Sequence, residues 1–296
     1  MKKLSVLFAA VMSFAVFAEE VPTMKQGWKV LDSGKHQEAE KIFRAVSLLP
    51  NQNYDGTIGI MFALRRQKKN EQVIAEADKW IAENPKATVN QKVHLLLFKG
   101  NALRDLKKTD ECLATYKNGV DLKSTNHLSS DCAKEYLMVA CNAGKKDLAL
   151  DMYNATKDDP IAMKNIGYLS NAAWLCWQLK KGEEGLKVLD SLEKLKTPEW
   201  VKETIGRTRG YLYRDCFDDC EKAVKSFEYA LATPNLNEFQ KAVLWNNIGI
   251  AYEREEEYEK AVEAYKKVGT FKASGWFMKS AANAAIRLQK KIDAGE

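Results

Sequence analysis

Residues 245–268 read Trp245-Asn-Asn-Ile248-Gly249-Ile-Ala-Tyr252, a short polar break, and then Tyr258-Glu-Lys-Ala261-Val-Glu-Ala-Tyr265-Lys-Lys-Val268. Positions 245, 248, 249 and 252 share one face of a helix, and so do 261, 265 and 268. Each segment has a single stripe to bury, so the stretch reads as a helical hairpin. Its second half places a small residue four positions before a large one. That signature recurs upstream at Ala39 and Phe43, more weakly at Val73 and Ala77, then at Cys112 and Tyr116, Ala149 and Tyr153, Gly185 and Leu189, and Ala223 and Phe227. Successive first members are 34, 39, 37, 36, 38 and 38 residues apart, which makes seven copies of one unit. A small residue precedes the signature by twelve positions at Gly27, Gly100, Ala173 and Gly249, and by thirteen at Gly210. Met61 and Leu137 break this rule, which leaves the register of copies two and four open.

The pattern resembles the tetratricopeptide repeat, whose bulky, small and aromatic positions on the first helix and small and large positions on the second are matched by Trp245, Gly249, Tyr252, Ala261 and Tyr265. The resemblance covers nearly all of the chain beyond residue 18. It implies an all-α, right-handed superhelical solenoid of antiparallel helix pairs, with about seven repeats over residues 19–275. A C-terminal capping helix and tail, 276–296, would turn Phe277, Ala281, Ala284, Ala285 and Leu288 inward and Lys279, Arg287, Lys290 and Lys291 to water. Asp159-Pro160 and Thr197-Pro198 read as caps followed by proline at the first helical position. Gly144 and Gly182 mark turns between paired helices.

Of the 296 residues, 46% are hydrophobic and 29% charged, a composition that supports a packed core and argues against disorder. Residues 1–18 stand apart. Lys2 and Lys3 precede an apolar run from Leu4 to Phe17, shorter than the ~20 residues of a membrane-spanning helix. This is the pattern of a secretory signal peptide. It leads us to expect an exported chain, periplasmic or secreted, with residues 1–18 removed, no membrane span in the mature part and no lipid anchor. Loss of Lys2 and Lys3 lowers 46 bases to 44 against 40 acids, a net charge of +4 instead of +6. The bases are interspersed with acids, so no nucleic-acid partner is expected.

An oxidising compartment would allow the six cysteines to pair. Cys216 and Cys220, flanking Phe-Asp-Asp at an expected turn, are the candidate disulfide, against the reading of two unpaired small hydrophobes. The adjoining Asp215, Asp218 and Asp219 read as a solvated turn in preference to a metal site.

No catalytic arrangement is legible. His36, His94 and His127 lie far apart, and there is no nucleophile elbow, phosphate-cradling loop or pair of Cys-x-x-Cys clips. No catalytic residue, cofactor or metal is therefore assigned. Function is expected on the concave wall, which in the family is lined by first-helix residues. The position after the small one reads Trp28, Phe62, Asn101, Met138, Trp174, Tyr211 and Ile250. One turn further on the row reads Leu31, Arg65, Arg104, Cys141, Trp177, Arg214 and Glu253. Arginine and aromatic residues dominate binding hot spots. The expected groove set is Trp28, Phe62, Arg65, Asn101, Arg104, Met138, Trp174, Trp177, Tyr211, Arg214 and Ile250, holding a protein or peptide segment. The opposing reading packs these residues between repeats. A second function places a cell-wall polymer or other carbohydrate on the aromatic platforms Trp174, Trp177 and Tyr211. The sequence leaves the partner's identity and the oligomeric state open.

Overall fold

The computed structural model describes residues 21–272 and 275–295. The expected signal peptide lies outside them, and so does the side chain of Phe277. Among the described residues there are fifteen α-helices, one 3-10 turn at Ala162–Lys164 and no strand. Fourteen of the helices follow one another along the chain as seven helix–turn–helix segments: α1 (Met24–Asp32) then α2 (His36–Ser47), α3 (Asn53–Arg66) then α4 (Asn70–Glu83), α5 (Val89–Asp105) then α6 (Thr109–Asp121), α7 (Leu128–Asn142) then α8 (Lys146–Thr156), α9 (Ile166–Gln178) then α10 (Gly182–Glu193), α11 (Val201–Cys216) then α12 (Cys220–Leu231), and α13 (Glu238–Arg254) then α14 (Tyr258–Val268). The last helix, α15, runs from Gly275 to Ala294.

The chain divides into two compact units, residues up to Cys112 and residues from Leu113 onward. In the first, each second helix packs on the first helix of the next pair, and α1, α3 and α5 adjoin one another. In the second, α7, α9 and α11 adjoin in the same way, and α12 through α15 pack in sequence.

One local device builds every segment. Each first helix ends on a residue in the left-handed conformation: Gly34, Lys68, Lys107, Gly144, Lys180, Asp218 and Glu256. Their spacings are the 34, 39, 37, 36, 38 and 38 residues of the sequence repeat. A backbone bond from the next residue back into the helix closes each turn, as in Lys69 N to Leu64 O at 3.0 Å and Lys108 N to Leu103 O at 2.9 Å. This is the hydrogen-bond pattern of a helix C-terminal cap. Second helices thus start directly out of the turn. Several first helices instead start on side-chain caps, with reciprocal boxes at Thr23 and Gln26, Thr88 and Gln91, and Asn237 and Gln240.

These turns settle the open register. Met61 and Leu137 each lie seven residues before their left-handed residue, as Gly27, Gly100, Ala173 and Gly249 do, and both are fully buried. The extra residue of copy six falls in the last turn of α11, where Asp219 N reaches back to Tyr213 O at 3.0 Å.

At Gly27, Gly210 and Gly249 the paired helix delivers an aromatic ring onto the backbone. An ideal Cβ on Gly210 would sit 2.4 Å from Phe227 Cε1, and one on Gly249 would sit 2.7 Å from Tyr265 Cε1. Phe227 and Phe43 are completely buried, and Tyr116 and Tyr168 are likewise inaccessible. The small-then-large signature therefore records how closely the two backbones approach.

Three expectations are corrected. Asp159-Pro160 precedes the 3-10 turn and not an α-helix, because α9 starts later, on an Asn165 side chain that accepts from Tyr168 N at 3.1 Å. Thr197-Pro198 lies in the connection before α11, which begins at Val201. The candidate disulfide is absent: Cys216 and Cys220 are free thiols, as are the other four cysteines. Cys216 closes α11, whereas Cys220 opens α12 with its side chain in the core beside Ala223 and Val224.

Candidate functional site

In the first unit, α1, α3 and α5 bring three aromatic rings into a row, with Phe43 of α2 packed on its first member. Trp28 meets Phe43 edge-on at 5.0 Å and Phe62 at 5.3 Å, and Phe62 meets Phe98 at 4.9 Å. The row continues through His94, whose ring lies 5.2 Å from Phe98 and whose Nδ1 is 2.7 Å from the Tyr54 hydroxyl. Phe62 stays 37% exposed, so the row has an open side. Beyond it, Arg65 and Arg104 both approach Asp105, at 3.8 and 3.7 Å. Asn101 is half-buried on α5, one turn before Arg104. Trp28, Phe62, Arg65, Asn101 and Arg104 are thus drawn together by three adjoining helices.

In the second unit, an open cleft of about 460 Å3 runs between α7, α9 and α11. Met138 and Cys141 line it from α7, Asn171 and Trp174 from α9, and Thr204 and Arg207 from α11. Trp200, 60% exposed, also lines it from the residue just before α11. The Arg207 guanidinium stands over the Trp174 ring with its Cζ 5.8 Å from the ring centre, within the range of cation–π attraction. Arg207 Nε donates to Glu203 Oε1 at 2.5 Å. Burial opposes the Arg207 charge, but the carboxylate of Glu203 outweighs it and raises the guanidinium's pKa. The cation is therefore fixed in place at the edge of a largely apolar cleft.

Tyr211 and Arg214 differ from expectation. Each is only 8% exposed, because both are drawn into a packed polar network. Arg214 donates to Asp215 from Nε and Nη2, each at 2.8 Å, and to Asn247 Oδ1 from Nη1 at 2.6 Å. Asp215 also accepts from Trp177 Nε1 at 2.9 Å and from Arg254 Nη2 at 3.0 Å. Trp177 stacks on Tyr211 at 5.0 Å, and Tyr211 meets Phe227 edge-on at 5.6 Å. Burial would raise the Asp215 pKa. The bonds from Arg214 and Trp177, with the charges of Arg214 and Arg254, reverse that and hold it down at about 2. Asp215 is thus the hub of an interior network, and the solvated turn contracts to Phe217, Asp218 and Asp219, with Asp219 capping α12 through a bond from Lys222 N at 3.0 Å. Ile250 packs with the cluster of α14 and α15 and contributes to neither site.

Cleft residues missed by the sequence reading are Glu135, Asn171 and Thr208, one turn upstream of Met138, Trp174 and Tyr211. Phe98 bears the same relation to Asn101 in the first unit. The periodicity that picked out the row also marks these positions. Arg207 and Trp200 lie off that row and had no such signal. Among the described residues there is no group of three or more His, Cys, Asp or Glu placed to hold a metal ion, and no helix long and apolar enough to cross a membrane.

Residues 242–268 match the family model of the tetratricopeptide repeat. No curated protein matches the chain. Among solved structures, a tetratricopeptide repeat protein from Parabacteroides merdae is similar at 16% identity with a TM-score of 0.55, over 89% of this chain and 97% of that one. The Cut9–Hcn1 hetero-tetramer of the APC/C is similar at 11% identity and TM-score 0.59, over 96% of this chain but only 52% of that chain. YrrB, described as a tetratricopeptide-repeat protein with an unusual peptide-binding site, is similar at 18% identity and TM-score 0.51, over 70% of this chain and 97% of its own. Residues 242–268 are thus a tetratricopeptide repeat by sequence, and the chain as a whole shares the fold of tetratricopeptide-repeat proteins.

Proposed function

We propose that this chain is a non-catalytic interaction scaffold that grips an extended segment of a partner protein in the cleft of its second unit. The observation that carries this reading is the cleft of about 460 Å3 floored by Trp174 and Met138, flanked by the exposed Trp200 and edged by the fixed Arg207 cation. Such a site suits a large apolar side chain, with Arg207 hydrogen-bonding an adjacent carbonyl. A peptide-binding site is described for the similarly folded YrrB. The aromatic row beside Arg65 and Arg104 in the first unit is a second contact surface for the same kind of ligand.

The carbohydrate reading is less favoured, because Trp177 and Tyr211 spend their ring faces on each other. Of its three platforms only Trp174 reaches the cleft. Residues 1–18 support export and a scaffold acting in the cell envelope or outside the cell. Panning a random peptide library on the immobilised chain, residues 19–296, tests the cleft. Selected peptides should carry a large apolar residue and lose at least tenfold in affinity, about 1.4 kcal/mol, against Trp200→Ala with Arg207→Ala at unchanged helical circular dichroism. Equal binding to that variant would remove the cleft from consideration, and capture of wall polymer alone would favour the carbohydrate reading.

A further inference from the structure

The face that α15 turns to solvent has a counterpart inside the fold. On α13, Leu244, Ile248 and Ala251 are buried, and on α15, Ala281, Ala285 and Leu288 are buried against the α14 cluster. Each residue of the second set lies 37 positions after its equivalent in the first. By the same offset, Trp245, Gly249 and Tyr252, the positions on α13 that receive its paired helix α14, correspond to Ala282, Ile286 and Gln289. So α15 occupies the place of a first helix, and the face that would receive a second helix is bare among the described residues. Ile286 stands where Gly210 and Gly249 stand in pairs six and seven, and it is 57% exposed. The expected polar cap thus carries an exposed apolar residue beside its lysines.

This strip is bordered by a cavity of about 320 Å3, lined by Met278, Ala282 and Ile286 on one side and by Tyr265, Lys266 and Gly269 of α14 on the other. Lys266, Lys279 and Lys290 are exposed around it and make no ion pair among the described residues. The helix carries Lys279, Arg287, Lys290 and Lys291 against the single acid Asp293. Arg287 is engaged by Glu253 at 2.6 Å, and Asp293 accepts from Gln289 at 3.1 Å. The open face is therefore an apolar strip in a basic frame. A second copy of α15 would bring like charges together, which counts against self-association through this face.

We propose that this strip is a docking face for an amphipathic helix of a partner protein with acidic flanks, seated as the second helix of an eighth pair. Its apolar stripe covers Ala282 and Ile286 and fills the cavity beside Tyr265, and its acids meet Lys266, Lys279 and Lys290. Since Ile286 has replaced the glycine, the docking helix presents a small residue there and not an aromatic ring.

The chain supplies its own probe. Residues Gly182–Glu193 form a second helix with four acids and one lysine, and with Leu189→Ala it carries a small residue at the position that faces Ile286. A copy of this segment with that substitution, appended after Glu296 through a flexible Gly/Ser linker, is held at a high effective concentration near α15. The appended chain should melt a few degrees higher than the chain bearing the linker alone, at roughly 2–4 °C per kcal/mol for a unit of this size. Ile286→Glu should abolish the rise without lowering the melting temperature of the chain that carries no appended helix. A probe with its four acids changed to lysine should give no rise. An absent rise, or an equal one from the charge-reversed probe, overturns the proposal. Ile286-dependent sedimentation of the unappended chain with phosphatidylserine vesicles overturns it in favour of a lipid surface. Neither result bears on the cleft between α7, α9 and α11.

Discussion

Gly210→Ala tests the packing rule on which the fold rests, because two effects of opposite sign compete at that site. In a helix interior alanine is favoured over glycine by about 1 kcal/mol, so propensity alone predicts stabilisation. In this structure the added methyl carbon lies 2.4 Å from Phe227 Cε1 and 2.7 Å from Cδ1 and Cζ. Contacting carbons settle at about 3.5–4.0 Å, so three ring atoms are too close by at least ~0.8 Å. Phe227 is completely buried and has no free volume to swing into. Overpacking of this kind costs roughly 1–3 kcal/mol. With three atoms of a fully buried ring overlapped, the cost falls in the upper part of that range, about 2–3 kcal/mol, so it exceeds the propensity gain and we expect a net loss of about 1–2 kcal/mol. For a unit of this size that is a fall of roughly 2–8 °C in melting temperature, read by far-UV circular dichroism. Phe227→Leu in the same background should recover part of the loss, giving a coupling energy in a double-mutant cycle. Gly167→Ala is the control, since the nearest atom to its methyl would be Cδ of the flexible Lys134 side chain, and it should be close to neutral. A Gly210→Ala protein as stable as the parent, or more so, would show that α11 and α12 are not in the contact described.

Asp215 predicts an acid transition: its folded pKa of about 2 lies below the ordinary 3.8, so the stability it contributes is complete above pH 3.8 and is lost as pH falls through about 2. The amount is about 2 kcal/mol, and in Asp215→Asn the pH dependence of denaturant unfolding should flatten in that window while stability at neutral pH falls by roughly 3 kcal/mol as Arg214 and Arg254 lose their acceptor. Lys107→Gly, at φ 61°, should stabilise the first unit by about 0.5–1 kcal/mol, and Gly144→Ala, at φ 69°, should destabilise the second by about 1 kcal/mol, both measured by urea unfolding. Of the six free thiols, partly exposed Cys216 should react first with a thiol-specific chromogen in the native protein, the buried five following only on unfolding, and an unreactive chain that releases thiols only after reduction would contradict the unpaired cysteines.

Much of the fold was legible because the repeat signal is local. Gly210 and Phe227, 17 positions apart, encode a close helix approach, and the period survives wherever that approach survives. Copies two and four obscured it because Met61 and Leu137 fill the small position with side chains that are themselves buried. The regular feature there is the left-handed turn residue, and five of the seven are not glycine, so composition gave no sign of it. The cleft was half legible. Met138 and Trp174 fell on the projected row, whereas Trp200 precedes its helix and Arg207 earns its position through Glu203 one turn back.

Charge placement was the least legible feature, and copies three and six show why. Both carry the same dipeptide in the last turn of their first helix, Arg104-Asp105 and Arg214-Asp215. In copy three the neighbouring pair offers Arg65, and Asp105 keeps 39% of its side chain exposed between two partly exposed guanidiniums. In copy six the neighbours offer Trp177 from one side and Asn247 and Arg254 from the other, and Asp215 is left with 8% of its side chain exposed. These partners lie 33 to 39 residues away, one repeat in either direction. Identical dipeptides thus become a surface cluster able to meet a ligand in one repeat and an interior strut in another. The repeat itself fixes where each arginine stands, and the adjacent repeats decide whether it faces a partner.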